Sequence, residues 1–115
     1  MNPLKLTRKK LAETLVESEL QQIVQFFSSV IKPVSLYLFG SASEGKMTDQ
    51  SDYDLLVIVP TLEAIRPAQK SFSKGRPELP KRAFDVVWLT EEDFNRKKEI
   101  GGVALIAATE GRRLI

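Results

Sequence analysis

The segment Leu38-Phe39-Gly40-Ser41, followed after ten residues by Asp52-Tyr53-Asp54-Leu55-Leu56-Val57, decides how the rest of the chain is interpreted. The second half opens an apolar run, Tyr53 to Val59, whose length and composition predict a strand buried on both faces of a sheet. Side chains two residues apart on a strand share one face. Asp52 and Asp54 should therefore point the same way, with Cα atoms about 7 Å apart.

Two carboxylates side by side at the start of a buried strand repel each other and lose solvation, which is costly if they stay unpaired. No Lys or Arg lies within this strand, but a hard divalent cation would neutralise the pair. Asp85 is a third acid inside an apolar strand, between Phe84 and Val86. If the two strands are neighbours, the three acids converge. They can then hold two Mg²⁺ ions about 3.5–4 Å apart, the arrangement used for phosphoryl and nucleotidyl displacement.

Gly40 and Ser41 predict the phosphate-binding half of such a site. A glycine at the end of a strand allows close approach of the backbone to a ligand. The backbone N–H groups of Ser41, Ala42 and Ser43 would face an anion, because a turn with one short helical turn is predicted within residues 41–50. A polyphosphate would then lie between N–H donors on one side and Mg²⁺ on the other.

Each of these signals also has an ordinary structural interpretation. Gly-Ser after a strand is usually only a turn, and an Asp-x-Asp pair is often a solvated turn with a cap. Asp85 alone is compatible with an edge strand whose acid faces water. The three features in this order, with each acid attached to an apolar strand, favour the metal site.

Hydrophobic periodicity predicts an α/β domain with a mixed sheet. Apolar residues at three- and four-residue spacings predict helices over about 7–17 and 18–31, and Ser18 with Gln21 forms a capping-box pattern that starts the second helix. Pro67 weakens a predicted helix in the middle of the chain. The remaining predicted elements are strands at 34–39, 53–59, 84–89 and 112–115, helices at 61–73 and 103–109, a helix that begins at Thr90, and a basic loop at 74–81.

The composition excludes several classes of catalytic site. The chain has 115 residues, enough for one domain with its own core. It contains no cysteine and no histidine, which excludes disulfides, Ser/His/Asp triads and the usual zinc ligands. No apolar run approaches the ~20 residues of a membrane span, and the N-terminus lacks a signal-peptide core. We therefore expect a cytoplasmic protein with no membrane contact.

Positive charge is concentrated in two segments, although the formal net charge is only +2. Residues 1–10 carry four cations and no acid, and residues 66–82 carry six cations against Glu78 alone. A segment like 66–82 is either a solvated loop or a binding surface, and the sequence leaves both interpretations open.

The motif itself matches a known family. Gly40-Ser41, ten intervening residues and Asp52-x-Asp54 resemble the signature of the minimal nucleotidyltransferases, within the DNA polymerase beta-like nucleotidyltransferase superfamily. Residues 84–92 resemble the strand that carries that family's third acid, with the helix after it, and residues 108–114 resemble the family's C-terminal ending.

The resemblance covers about residues 18–115, which would form the nucleotidyltransferase domain, with residues 1–17 as an N-terminal basic helical extension. It implies an α/β fold built on a short, mixed, mostly antiparallel sheet with helices packed on one side. By this resemblance Gly40 and Ser41 would bind the triphosphate of ATP or another nucleoside triphosphate.

The same resemblance implies that Asp52, Asp54 and Asp85 are catalytic and bind Mg²⁺, for which Mn²⁺ could substitute. Members similar to this chain are often encoded beside a HEPN-domain protein as a toxin–antitoxin pair, and some attach AMP to a tyrosine of the toxin. A HEPN-domain partner and a protein or RNA acceptor are therefore expected. The sequence is also compatible with a homo-oligomer.

Two functions remain open from the sequence. One is an enzyme that moves a nucleotide, AMP from ATP, onto an acceptor hydroxyl. The other is a non-catalytic nucleotide-binding module, or an antitoxin that masks its partner. Three strand-borne carboxylates favour the enzyme, since a module that only covers a partner does not need them. A DxD glycosyltransferase is more remote, because so short a chain can hardly hold sugar-nucleotide and acceptor sites together.

Overall fold

Four α-helices and four strands make up the part of the chain that the structure describes. The computed structural model describes residues 3–40 and 52–115, and their side chains from residue 15 onwards. In chain order the elements are α1 Pro3–Phe26, β1 Ser35–Phe39, β2 Tyr53–Val59, α2 Ile65–Gly75, β3 Phe84–Thr90, α3 Glu91–Lys97, α4 Gly102–Glu110 and β4 Arg112–Arg113. A π-helical turn, Phe27–Ile31, extends α1, and the 3₁₀ turns Leu62–Ala64 and Arg76–Glu78 flank α2. The helical turn predicted within residues 41–50 lies outside the described residues.

The four strands form one sheet in the order β3-β2-β1-β4. β1 pairs antiparallel with both β2 and β4, whereas β2 and β3 are parallel. The predicted α/β class and the mixed, mostly antiparallel sheet are therefore confirmed. The parallel pair requires a crossover connection, and α2 supplies it.

Helices cover both faces of the sheet, so the expectation that they pack on one side is wrong. Leu55, Val57 and Val59 of β2 lie in a core with residues of α1 and α2. The alternate residues Leu56 and Ile58 lie in a second core with Phe94 of α3 and Ala104 and Ala107 of α4. The physical reason is that β2 is apolar on both faces, and each face must be shielded from water.

α1 is one continuous helix, so the predicted helix start at Ser18 is wrong. Ser18 is exposed in the middle of α1, where a serine is tolerated because its hydroxyl can point to water. The predicted end near residue 31 is confirmed, since the helical turns stop at Lys32, which has φ 54°, just before Pro33. The division into residues 1–17 and 18–115 stays a prediction. None of the described helices is long and apolar enough to cross a membrane.

Pro67 does not weaken α2, contrary to the sequence prediction. It is the third residue of the helix, and N–H groups in the first turn have no partner within the helix, so proline removes nothing there. Thr90 caps α3 as predicted, since its Oγ1 accepts a hydrogen bond from the Asp93 N–H at 3.1 Å. The predicted edge strand is confirmed as β4, although it is shorter than 112–115.

Gly75, the last residue of α2, lets this helix approach α1 closely. A Cβ atom on Gly75 would overlap Cε2 and Cζ of Phe26, and Phe26 is buried, with its ring edge-on against Phe27. The Phe26 ring therefore has little room to move aside.

We expect Gly75→Ala to lower the free energy of unfolding by about 1–3 kcal/mol through overpacking. Helix propensity alone predicts the opposite sign, since alanine is favoured over glycine by roughly 1 kcal/mol in a helix. Urea denaturation measures the difference. Ser73→Ala, an exposed change in the same helix, is the control and should be neutral or slightly stabilising. A more stable Gly75→Ala variant would contradict the close packing of α2 on α1.

Candidate active site at one end of the sheet

The structure brings four of the predicted site residues together where β2 and β3 begin. Parallel pairing places Asp54 of β2 beside Asp85 of β3. Asp52 comes two residues before Asp54, so strand alternation puts it on the same face. Antiparallel pairing of β1 with β2 places Phe39 beside Asp54, which brings Gly40 to this end as well.

The three carboxylates interact electrostatically. Burial raises the pKa of Asp54, and the carboxylates of Asp85 and Asp52 raise it further, in that order. Asp54 is half-buried, whereas Asp52 and Asp85 are exposed. The site is therefore a cluster of like charges in which the central carboxylate is the least solvated, and a cation would relieve its repulsion.

Gly40 allows the backbone to lie against Asp54. Its φ is 74°, in the region that favours glycine. A Cβ atom on Gly40 would overlap Oδ2 of Asp54 and lie 3.3 Å from its Cγ. Any other residue would therefore push the carboxylate away. Ser41 and Ser43, the other predicted nucleotide-binding residues, lie outside the described residues, and their role stays a prediction.

The donor atoms at this site suit a hard divalent cation. All three acids offer carboxylate oxygens, which Mg²⁺ prefers over nitrogen or sulfur ligands. In the described part of the chain, no three acidic side chains are gathered closely enough to hold an ion as they stand. Asp52 and Asp85 are exposed at the sheet end, so their side chains can rotate towards Asp54 without crossing a packed core. The carboxylate oxygens are therefore suitable ligands for Mg²⁺, although the three side chains do not converge on one point in this structure.

Comparison with known proteins assigns the family. The family described as polymerase beta, nucleotidyltransferase matches residues 21–108, which is most of the chain. The chain belongs to this nucleotidyltransferase family. The match includes Gly40 and the three acids, and residues 1–20 and 109–115 lie outside it. None of the curated proteins matches the chain.

Two solved structures are similar to this nucleotidyltransferase domain. One is a candidate nucleotidyltransferase from Sulfolobus solfataricus, with 17% identity and a TM-score of 0.58, covering 89% of this chain and 84% of that one. The other is a toxin–antitoxin structure with AMP-PNP, with 24% identity and a TM-score of 0.46, covering 84% of this chain and 72% of that one. At these identities the first likeness shows the fold alone.

A buried polar network, not predicted from the sequence, lies next to the acids of the nucleotidyltransferase domain, on the opposite face of the sheet. Tyr53, between Asp52 and Asp54, donates a hydrogen bond from its hydroxyl to Oε2 of Glu19 on α1 at 2.8 Å. Nε of Arg82 donates to the same oxygen at 2.6 Å. Burial, followed by the hydrogen bond to Glu19, raises the pKa of Tyr53. The hydroxyl therefore stays protonated and keeps donating at physiological pH.

The same network holds the segment that leads into β3. Arg76 donates a hydrogen bond to the Arg82 carbonyl at 2.8 Å, and its guanidinium lies 4.4 Å from the centre of the Phe84 ring. The Tyr53 N–H donates to the Ala83 carbonyl at 2.9 Å. A tyrosine inside an apolar strand was the available signal, because a buried hydroxyl needs a partner.

Glu19→Gln should lower the free energy of unfolding by about 3 kcal/mol, because it removes the charge that faces a buried guanidinium. The Arg82 and Glu19 side chains are only 6% and 11% exposed. Glu17→Gln is a matched control on the same helix, since Glu17 pairs with Arg112 at 3.0 Å but is 56% exposed. Its loss should stay below about 1 kcal/mol. Equal losses of unfolding free energy in urea denaturation would show that the buried ion pair stabilises the fold no more than the exposed one.

Asp54→Asn should raise the Tm at pH 7 in the absence of divalent cations. The raised pKa means that the folded state holds the Asp54 proton more tightly than the unfolded chain does. Stability is therefore lost as pH rises from the unfolded value, about 3.9, through the folded one, and the ionised carboxylate destabilises the fold at neutral pH. The gain should shrink at pH 3.5, and Glu63→Gln, an exposed change, should have little effect. A lower Tm for Asp54→Asn at pH 7 would show that the Asp54 carboxylate stabilises the fold.

Proposed function

We propose that this chain is a Mg²⁺-dependent nucleotidyltransferase that moves a nucleotide, AMP from ATP, onto an acceptor hydroxyl. One observation carries the proposal: Asp54 and Asp85 lie side by side in register on parallel strands, with Asp52 close enough to affect the pKa of Asp54. Membership of the nucleotidyltransferase family supports the same reaction class.

Each acid has its own role in this proposal. Asp52 and Asp54 would hold the metal that contacts the triphosphate; this is supported by Gly40, the first residue of the predicted phosphate site, which lies against Asp54. Asp85 comes from the neighbouring strand and is exposed, so it would face the acceptor. A bound Mg²⁺ pair would neutralise the phosphates and lower the pKa of the attacking hydroxyl.

The proposed reaction is an in-line displacement at the α-phosphorus. The acceptor oxygen forms a bond to this phosphorus, the bond to the bridging oxygen of the β-phosphate breaks, and pyrophosphate leaves. Asp85 either completes the second metal site or takes the hydroxyl proton itself as the general base, since the chain has no histidine for this role. The N–H groups predicted at Ser41, Ala42 and Ser43 would hold the phosphate oxygens in place during the transfer.

The alternative function is a nucleotide-binding module or an antitoxin that masks its partner without catalysis. Like-charged acids in register argue against it, because their repulsion destabilises the fold and a purely masking protein gains nothing in return. A HEPN-domain protein as partner and a protein or RNA hydroxyl as acceptor remain predictions of the sequence resemblance.

Asp85→Asn should leave Mg·ATP affinity within a few-fold and slow transfer by about 10²–10⁴-fold, because its contribution is made mainly in the transition state. Asp54→Asn should weaken both binding and transfer. Calorimetry measures Mg·ATP binding, and single-turnover transfer of label from α-labelled ATP to a co-purified partner measures chemistry.

Glu63→Gln is the control for the acid variants, because Glu63 is an exposed acid that follows the other end of β2. It should change neither binding nor transfer. Full transfer by Asp85→Asn would remove this residue from the reaction. Mg·ATP binding without transfer to any candidate acceptor would favour the masking module.

A further inference from the structure

One of the two basic segments of the chain, residues 66–82, lies wholly in the part that the structure describes. Residues 66–82 carry six Lys and Arg against Glu78, a net charge of +5, whereas the whole chain carries only +2. The remaining residues therefore have a net charge of −3. Residues 1–10 carry four further cations and no acid, so an anionic partner would be attracted to these two segments and repelled by the rest of the chain.

The structure separates five of the six cations of this segment into two groups, and the sixth, Lys81, is exposed beyond the end of α2. Arg76 and Arg82 belong to the buried network, through the hydrogen bonds to the Arg82 carbonyl and to Glu19. Arg66, Lys70 and Lys74 are exposed, and none of them makes an ion pair or hydrogen bond within residues 15–40 and 52–115. The first group is structural. The second has its full charge available to a partner.

These three cations form a row along α2. They are spaced four residues apart, so neighbours lie on one side of the helix with a rise of about 6 Å between them. Gln69 and Ser73, also exposed, lie between them. The α2 basic face is defined as these five residues: Arg66, Gln69, Lys70, Ser73 and Lys74. A shallow groove runs along part of it.

The chemistry of this face favours phosphate over protein. Protein–protein interfaces usually have an apolar or aromatic centre and are depleted in lysine. No aromatic side chain is exposed on the α2 basic face, because Ala68 and Phe72 of the same helix pack inwards, and the one apolar residue that lines its groove is Pro67. Arg, Lys, Ser and Gln are the side chains that contact nucleic-acid backbones.

We propose that the α2 basic face binds the phosphate backbone of a single-stranded nucleic acid. The face ends near the acid-bearing end of the sheet: α2 starts beyond the far end of β2, and its last turn reaches Phe84, next to Asp85, through the Phe72–Phe84 ring contact at 6.0 Å. α2 packs on the face of the sheet opposite to Asp54, so a bound strand would reach the acids by passing round this end of the sheet. This last step rests on the proposed transfer reaction, whereas the binding does not.

The test measures binding of a fluorescent 20-nucleotide RNA to the full chain by anisotropy, in EDTA and without nucleotide, over a range of salt concentrations. Arg66→Gln/Lys70→Gln/Lys74→Gln should weaken binding at least tenfold at 0.1 M salt. It should also reduce the slope of log affinity against log salt by about 2, since each phosphate contact contributes about 0.7 for single strands. All three residues are exposed, so thermal unfolding should be unchanged.

A charge-matched control removes three exposed cations elsewhere, Arg96→Gln/Lys97→Gln/Arg113→Gln. It should keep RNA affinity within about twofold, and an equal loss in both triple variants would overturn the proposal, as would wild-type protein that binds no RNA at low salt. Polyglutamate that competes as well as unlabelled RNA would overturn it in favour of an acidic protein. Asp54→Asn should bind RNA normally, so failure of transfer and failure of binding are told apart.

Discussion

Pairing β2 with β3 in parallel puts the carboxylates of Asp54 and Asp85 at the same level on adjacent strands. The two carboxylates repel each other when both are ionised, and the rest of the structure has to hold the two strands together in spite of this repulsion. A parallel pair needs a crossover, so α2 must leave the far end of β2 and return to the start of β3. α2 therefore does two things at once, because its inner side covers the sheet and its outer side carries the cations that face water.

Strand alternation separates chemistry from support at this end of the sheet. Asp52 and Asp54 lie on one face, while Tyr53 between them points into the opposite core and reaches Glu19. The shared carboxylate of Glu19 ties α1, the first residue of β2 and the segment before β3 to one another. Repelling acids would otherwise favour separation of the two strand starts, and the network opposes this from the side that water does not reach.

Most of the sheet could be predicted from the sequence, because the signals that define its strands come from residues close together in the chain. The apolar run of β2, the Asp-x-Asp spacing and the Thr90 cap each depend on residues within a few positions of one another. The family resemblance implies helices on one side of the sheet, whereas the apolar residues on both faces of β2 require cover on each side, which the structure has. The Glu19–Arg82 contact joins residues 63 positions apart, and no periodic pattern encodes such a pair. The side-chain positions of Ser41 and Ser43 stay predictions.

The positions of the three acids and of the cations on α2 are explained by the charges that they carry. A cluster of three carboxylates repels any phosphate-bearing acceptor, and at physiological salt that repulsion extends over about 8 Å. Metal binding would cancel it only locally, at the reacting phosphates. A strand of nucleic acid carries further phosphates along its length, and those need a separate source of positive charge outside this range. α2 begins at the opposite end of the sheet and packs on the face opposite to Asp54, so its exposed cations do not neutralise the acids. Cations placed at the acids themselves would form ion pairs with them and displace the metal.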